Sequence, residues 1–235
     1  MSNPYFSFKQ FTVYHDRCAM KVGTDGVLLG AWADCSNTSR IVDVGTGSGL
    51  IALMLAQRTD AQIDALDIDK NACEQAEFNF HHSKFNQQLQ IYHTNILNFK
   101  PTHSYDLVVS NPPYFINSLQ SPDKSRSLAR HSTHFDFSLF IHAVHGLLSD
   151  SGRLSLILPA STYESIEPIM KDKNLFLTRK AFVRPLENLP PKRLLLEYSK
   201  IKTETLISDF YIEKSRHNYS DAYKELTKEY YLNFP

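Results

Sequence analysis

Asn111-Pro112-Pro113-Tyr114 follows directly on the apolar run Asp106–Ser110, where a short buried strand would end. It brings an amide, an outward carbonyl and an aromatic ring to one point. Proline has no N–H and a stiff φ angle, so a proline pair can hold a backbone carbonyl outward as an acceptor that no neighbouring strand consumes. The Asn111 side-chain oxygen is a second acceptor. Two acceptors beside a ring suit the methylation of an exocyclic amino group, whose two N–H bonds they can grip while the ring covers the base or amide plane.

Upstream, Asp43-Val44-Gly45-Thr46-Gly47-Ser48-Gly49 lies between the apolar start Ile41-Val42 and the helical run Leu50–Ala56. Alternating glycines at a strand-to-helix turn leave a bare main-chain ledge at a helix N-terminus, on which a cofactor can lie. The spacing is G-x-G-x-G rather than the G-x-G-x-x-G of nicotinamide enzymes. Asp67 closes the next strand, where a carboxylate can accept from ribose hydroxyls; the competing role is N-cap of a helix beginning near Lys70. Asp43 has two roles open to it, organising the glycine turn or facing the cofactor through water, and is assigned to the cofactor site. Asn95 is placed either against an adenine edge or in the service of its own turn.

The surrounding elements read as α/β. Strands are expected near 40–44, 62–67, 89–93, 106–110 and 153–158, alternating with helices near 48–58, 70–81, 137–148 and 162–172, the signature of a parallel sheet covered by helices. Two later β-favouring runs, Leu175–Val183 and Arg193–Tyr198, are expected to pair antiparallel at one edge of the sheet. Residues 219–231 read as a final helix capped by Ser220. The polar stretch from Phe115 to Phe135, carrying Arg126 and Arg130, is either a lid beside the site or an insertion.

Length and a hydrophobic share of 42% fit one domain over 1–235, with 1–38 covering the site and 39–235 forming the core. No apolar run approaches the roughly 20 residues of a membrane span, and the opening residues lack a signal-peptide pattern, which points to the cytoplasm. Cys18, Cys35 and Cys73 form no Cys-x-x-Cys pattern, and the ten histidines have no supporting ligand set, so no metal is expected. Net charge is zero, but residues 171–202 hold nine basic side chains against three acidic ones. That stretch is either an electrostatic footprint for nucleic acid or a set of solvated faces. Lys192 and Arg193 are its candidate RNA contacts, with Arg126 and Arg130 as further phosphate contacts.

The set Asp43–Gly49, Asp67 and Asn111–Tyr114 resembles the class I S-adenosylmethionine-dependent methyltransferases that act on amino groups. Residues Phe8–Trp32 and Asn218–Tyr223 narrow the likeness to the bacterial tRNA1(Val) (adenine-N6)-methyltransferases, and the resemblance covers nearly the whole chain. It implies a Rossmann-like, seven-stranded, mostly parallel sheet with helices on both faces and an antiparallel edge strand, and S-adenosyl-L-methionine as methyl donor. It implies methyl transfer to adenosine 37 in a tRNA anticodon stem-loop, with no membrane, metal or obligate protein partner. It further implies that the segment holding Lys21, Gly23, Thr24 and Asp25 closes over the methionine end of the cofactor. Asn95 departs from the aspartate that many relatives carry. Asn111, Pro112 and Tyr114 are then the catalytic set, with Tyr114 stacked on the extruded base. The rival reading is a protein glutamine N5-methyltransferase, whose amide nitrogen needs the same acceptors. A DNA adenine methyltransferase and a non-catalytic nucleotide-binding module stand further off.

Overall fold

A computed structural model describes residues 3–18, 20–113 and 135–234. In chain order its elements are β1 (Tyr5–Ser7), β2 (Thr12–Tyr14), α1 (Thr24–Trp32), β3 (Arg40–Val44), α2 (Leu50–Ala56), β4 (Gln62–Asp67), α3 (Lys70–His81), β5 (Leu89–His93), β6 (Tyr105–Ser110), α4 (Phe137–Leu147), β7 (Leu148–Pro159), α5 (Tyr163–Asp172), β8 (Phe176–Leu186), β9 (Arg193–Ser199), β10 (Leu206–Ser215), β11 (Asn218–Tyr219) and α6 (Asp221–Thr227). The five strands expected from apolar runs are all present. The central strands β3 and β6 are buried over nearly their whole length, which is why they read as apolar runs, whereas β5 at the sheet edge is mostly exposed.

The main sheet runs β11-β10-β8-β9-β7-β6-β3-β4-β5. Strands β5, β4, β3, β6 and β7 are mutually parallel, and β9 runs antiparallel between β7 and β8. Strands β3 to β9 thus form the expected seven-stranded core with its reversed last strand. One detail differs: β9 lies inside the sheet rather than at its edge, because β10 adds parallel to β8 and β11 follows it. The exposed burial pattern of Leu206–Asp209 explains why no strand is expected there, since the apolar alternation of a half-buried strand is missing. The final helix is shorter than expected, but Ser220 caps it as expected, its hydroxyl accepting from the Tyr223 amide.

Two cores flank the sheet. One gathers α1, α2, α3, the β1–β2 hairpin and Tyr223 and Tyr230 near the C-terminus; the other gathers α4 and α5 against β6, β7 and β9. Helix α1 sits hard against α2 because Gly26 and Gly30, one turn apart, face Leu50 and Met54. A Cβ on Gly30 would stand 2.8 Å from the Met54 sulfur and 2.9 Å from its Cβ. The Arg58 guanidinium then satisfies the carbonyls of Gly30, Ala31 and Ala33 at the far end of α1. Close packing at these glycines fixes the N-terminal end of α1 beside the start of α2, where the glycine turn lies.

Candidate active site

Register brings the candidate residues to one end of the sheet. Val44, the last residue of β3, pairs with Leu66 of β4 and with Ser110 of β6, so the glycine turn, Asp67 and Asn111 all leave the sheet at the same level. The Ser110 hydroxyl ties the two central strands by donating to the Val44 carbonyl at 2.7 Å. This is the carboxyl end of a parallel sheet, where open α/β folds bind ligands.

Within the turn, Gly45, Gly47 and Gly49 have φ of 74°, 57° and 82°, left-handed values that strain any side chain. The amides of Gly45 and Thr46 both donate to the Leu66 carbonyl, and the Gly47 amide donates to Asp67 Oδ2 at 2.8 Å. A Cβ on Gly45 or Gly47 would meet nothing within 4 Å, whereas one on Gly49 would strike the Phe80 ring. The first two glycines therefore border open space, and the third seats α2 against α3.

Asp43 serves the turn and keeps one oxygen over. Its Oδ2 accepts from the Thr46 hydroxyl at 2.7 Å, while Oδ1, buried with the rest of the residue, has no well-formed hydrogen bond among the described residues. Burial pushes the carboxyl up to about 7, against the lowering influence of the Thr46 hydroxyl and the nearby Ala52 amide. The folded pKa lies above the ordinary value of 3.8, so the fold favours the protonated form. This group's contribution is most favourable below pH about 4, and stability is lost as pH rises toward and through 7. We expect the ligand-free Asp43→Asn variant to lose less thermal stability than the parent between pH 5 and 8. Parallel melting curves would dismiss the buried proton.

Asp67 is half-buried and shared: Oδ2 takes the Gly47 amide and Oδ1 the Asp69 amide at 2.9 Å. The helix cap considered for it belongs instead to Asp69, whose side chain accepts from the Asn71 amide. Asn95 does serve its own turn, its Oδ1 accepting from the Leu97 amide at 3.0 Å, and its residue is exposed. Lys21 is exposed just before α1, and Thr24 is the first residue of that helix, behind an N-cap glycine that supplies no side-chain bond. Asn111 is half-buried and Pro112 buried. Tyr114, Arg126 and Arg130, with most of the stretch weighed as a lid, lie outside the described residues.

The basic stretch does not form one surface. Arg184, Lys192 and Arg193 lie at the site end of the sheet, since Pro159 and Val183 both pair with Arg193. Lys171 in the last turn of α5, Lys173 just after it, and Lys200 and Lys202 after β9 lie at the opposite end, where Ser199 pairs with Arg153 and Phe176. At the site end Arg184 is forked onto Asp209, and Arg193 Nε donates to Asp25 Oδ2 at 2.8 Å, joining β9 to α1; Lys192 is exposed.

Two residues that sequence reading passed over bear on the site. Gln75 and Asn79, both on α3, are 2% and 1% exposed and spend their amides on the backbone of residues 14–17 and on the glycine turn. Polar residues in a helical pattern read as a solvated face, so only the one-turn spacing of the two amides hinted at them. Burial and the carboxylates of Asp67, Asp69 and Asp16 push the Cys18 thiol up to about 11, which disfavours its thiolate. Among the described residues no group of three or more His, Cys, Asp or Glu is placed to hold a metal, and no helix is long and apolar enough to cross a membrane.

The methyltransferase small domain family matches residues 22–157. The tRNA1(Val) (adenine(37)-N6)-methyltransferase of Parabacteroides distasonis is 48% identical over 235 residues, spanning 99% of each chain. That of Pectobacterium carotovorum is 41% identical, over 97% of this chain and 93% of its own. In fold, a predicted O-methyltransferase from Agrobacterium tumefaciens aligns with a TM-score of 0.69 at 17% identity, over 88% of this chain and 96% of the other. The ribosomal protein L11 methylase of Lactobacillus delbrueckii aligns at 0.55 and 18% identity, over 75% and 77%. With its glycine turn and Asn111-Pro112-Pro113 at the carboxyl end of a seven-stranded core, and with identities above 40% across nearly its full length, the chain belongs to the tRNA1(Val) (adenine(37)-N6)-methyltransferase family.

Proposed function

We propose that this protein transfers a methyl group from S-adenosyl-L-methionine to the N6 amino group of an adenosine in tRNA, position 37 beside the anticodon of tRNA1(Val), in the cytoplasm. The observation that carries the reading is the register of Val44 with Ser110, which starts the glycine ledge and the Asn111-Pro112 acceptors from adjacent strands at one level.

The cofactor suits the residues present. Gly45 and Gly47 border open space that any Cβ would enter, and the buried Asp43 Oδ1 lacks a partner that a cationic amino-acid end would supply. Asp67 can accept from ribose hydroxyls with its remaining lone pairs. Asn95, its oxygen already committed to Leu97, would meet an adenine through its Nδ2 donors. Lys21 and Thr24 would cover the methionine end. The cofactor supplies an electrophilic methyl on sulfur; the rest of the chemistry is the chain's.

An adenine amino nitrogen is a poor nucleophile because its lone pair is delocalised into the ring. The Asn111 side-chain oxygen and the Pro112 carbonyl would accept its two N–H bonds and favour the tetrahedral nitrogen that attack requires. Tyr114 would stack on the extruded base and hold the nitrogen in line. No strong base is needed before attack, because the proton becomes acidic only once the fourth bond to nitrogen forms.

Incubating the protein with labelled S-adenosylmethionine and total bacterial RNA, followed by nucleoside analysis, tests the reading. N6-methyladenosine in one tRNA species is the expected product. Label in protein would favour glutamine N5 methylation and overturn it. Of the basic residues, Lys192 is proposed as a phosphate contact, with Arg193, Arg126 and Arg130 as further candidates. Lys192→Glu is expected to weaken tRNA binding and lower the salt dependence by roughly one counterion. Unchanged affinity at low salt would remove it from the interface.

A further inference from the structure

Residues 12–18 lie over α3 with little regular structure of their own after β2, and three buried polar side chains hold them. Asn79 forms a two-point clamp on Tyr14, its Oδ1 accepting from the Tyr14 amide at 2.9 Å and its Nδ2 donating to the Tyr14 carbonyl at 2.8 Å. Gln75, one turn earlier, accepts from the Arg17 amide at 3.0 Å. His15 ties the segment to the chain before and after it, one ring nitrogen 3.0 Å from the Asn3 carbonyl and the other accepting from the Val22 amide.

Asn79 differs from the other two in one respect. Its Nδ2 also donates to the Ser48 carbonyl at 2.8 Å, and Ser48 stands between Gly47 and Gly49. A single amide at 1% exposure therefore holds both the turn and the N-terminal segment, and its bond to Ser48 lies in buried surroundings where a lost partner is costly. Phe80 reinforces the arrangement from the next position on α3, packed against Gly49. The segment so held ends at Cys18 near Asp67, whose charge helps raise the Cys18 thiol, and continues into Lys21 and α1.

We propose that Asn79 is a positioning residue that couples ligand occupancy of the glycine turn to the seating of residues 12–18. The proposal rests on the cofactor reading of that turn. A ligand that rigidifies the Ser48 peptide fixes Asn79 Nδ2, Asn79 fixes Tyr14, and the segment leading to Lys21 is ordered before the nucleic acid arrives. Gln75 holds the same segment without touching the turn, so it anchors but does not couple.

Residue-resolved amide exchange with and without S-adenosylmethionine separates these roles. In the parent, cofactor is expected to slow exchange at the glycine turn and, by about tenfold, at the Tyr14 and Arg17 amides, a size ordinary for coupled sites. In Gln75→Ala the Tyr14 amide should keep that response. In Asn79→Ala the Arg17 amide, whose own acceptor Gln75 remains, should lose it, while the turn still responds at saturating cofactor. Asn79→Ser, which keeps a hydroxyl donor, serves the same comparison if the alanine variant fails to fold. A turn that responds while Tyr14 and Arg17 do not, in the parent, overturns the coupling alone; so does an Arg17 response that survives in the Asn79 variants. A turn that does not respond to the cofactor overturns the cofactor reading and the coupling with it.

Discussion

Asn111→Ala is expected to lower kcat for methyl transfer about 100- to 1,000-fold, the usual size of losing one aimed transition-state partner, while cofactor affinity stays within a few-fold of the parent. The separation follows from the layout. Asn111 begins the segment after β6, one strand away from the glycine turn at the end of β3, and the turn is held by hydrogen bonds to Leu66, Asp67 and Asn79 of β4 and α3. Alanine removes the side-chain acceptor and keeps the Pro112 carbonyl, so one of two grips on the amino group remains. Asn111 is half-buried, so the melting temperature should move little. Single-turnover rates with saturating cofactor and tRNA, set beside equilibrium binding of the cofactor, provide the measurement. Parent-like turnover would reject the acceptor role, and a parallel loss of cofactor binding would show that the residue shapes the turn instead.

The parts of the fold that the amino-acid sequence displays best are those whose burial is symmetrical. Strands β3 and β6 are buried over nearly their whole length, so they appear as apolar runs, and the glycine turn appears because its left-handed φ angles favour glycine. Strand β10 escaped because its first residues are exposed, Leu206 and Ile207 each to 67%. The basic stretch, open in sequence between one footprint and several solvated faces, is dispersed: Arg184, Lys192 and Arg193 lie at the site end of the sheet, Lys171, Lys173, Lys200 and Lys202 at the other, and Arg179 and Lys180 within β8. Sequence distance measures surface distance only within a single element. Asn79 and Gln75 lay beyond reach for a related reason. A buried amide is recognised by what it bonds, and its partners here are backbone groups about sixty and thirty positions away, which carry no mark in a residue pattern.

The glycines of the turn should separate into two classes on substitution, and this gives the sharpest test of the ledge. Gly47→Ala incurs the left-handed penalty of about 1–2 kcal/mol but finds open space for its methyl group, so the ligand-free protein should melt only a few degrees lower. Its cofactor affinity should fall by at least about 100-fold, because the added carbon occupies the volume through which a ligand reaches main chain. Gly49→Ala incurs the same backbone penalty and drives its methyl group into Phe80, an overpacking cost of about 1–3 kcal/mol more. That total approaches half of a marginal fold's stability and should lower the melting temperature by about 5–15 °C even without ligand. Melting curves and cofactor titrations on the two variants therefore give opposite signatures: one keeps its fold and loses its ligand, the other is weakened at the junction of α2 with α3. If Gly47→Ala binds cofactor as the parent does, the open face of the turn is not where the cofactor lies, and the site must be sought elsewhere along the carboxyl ends of the strands.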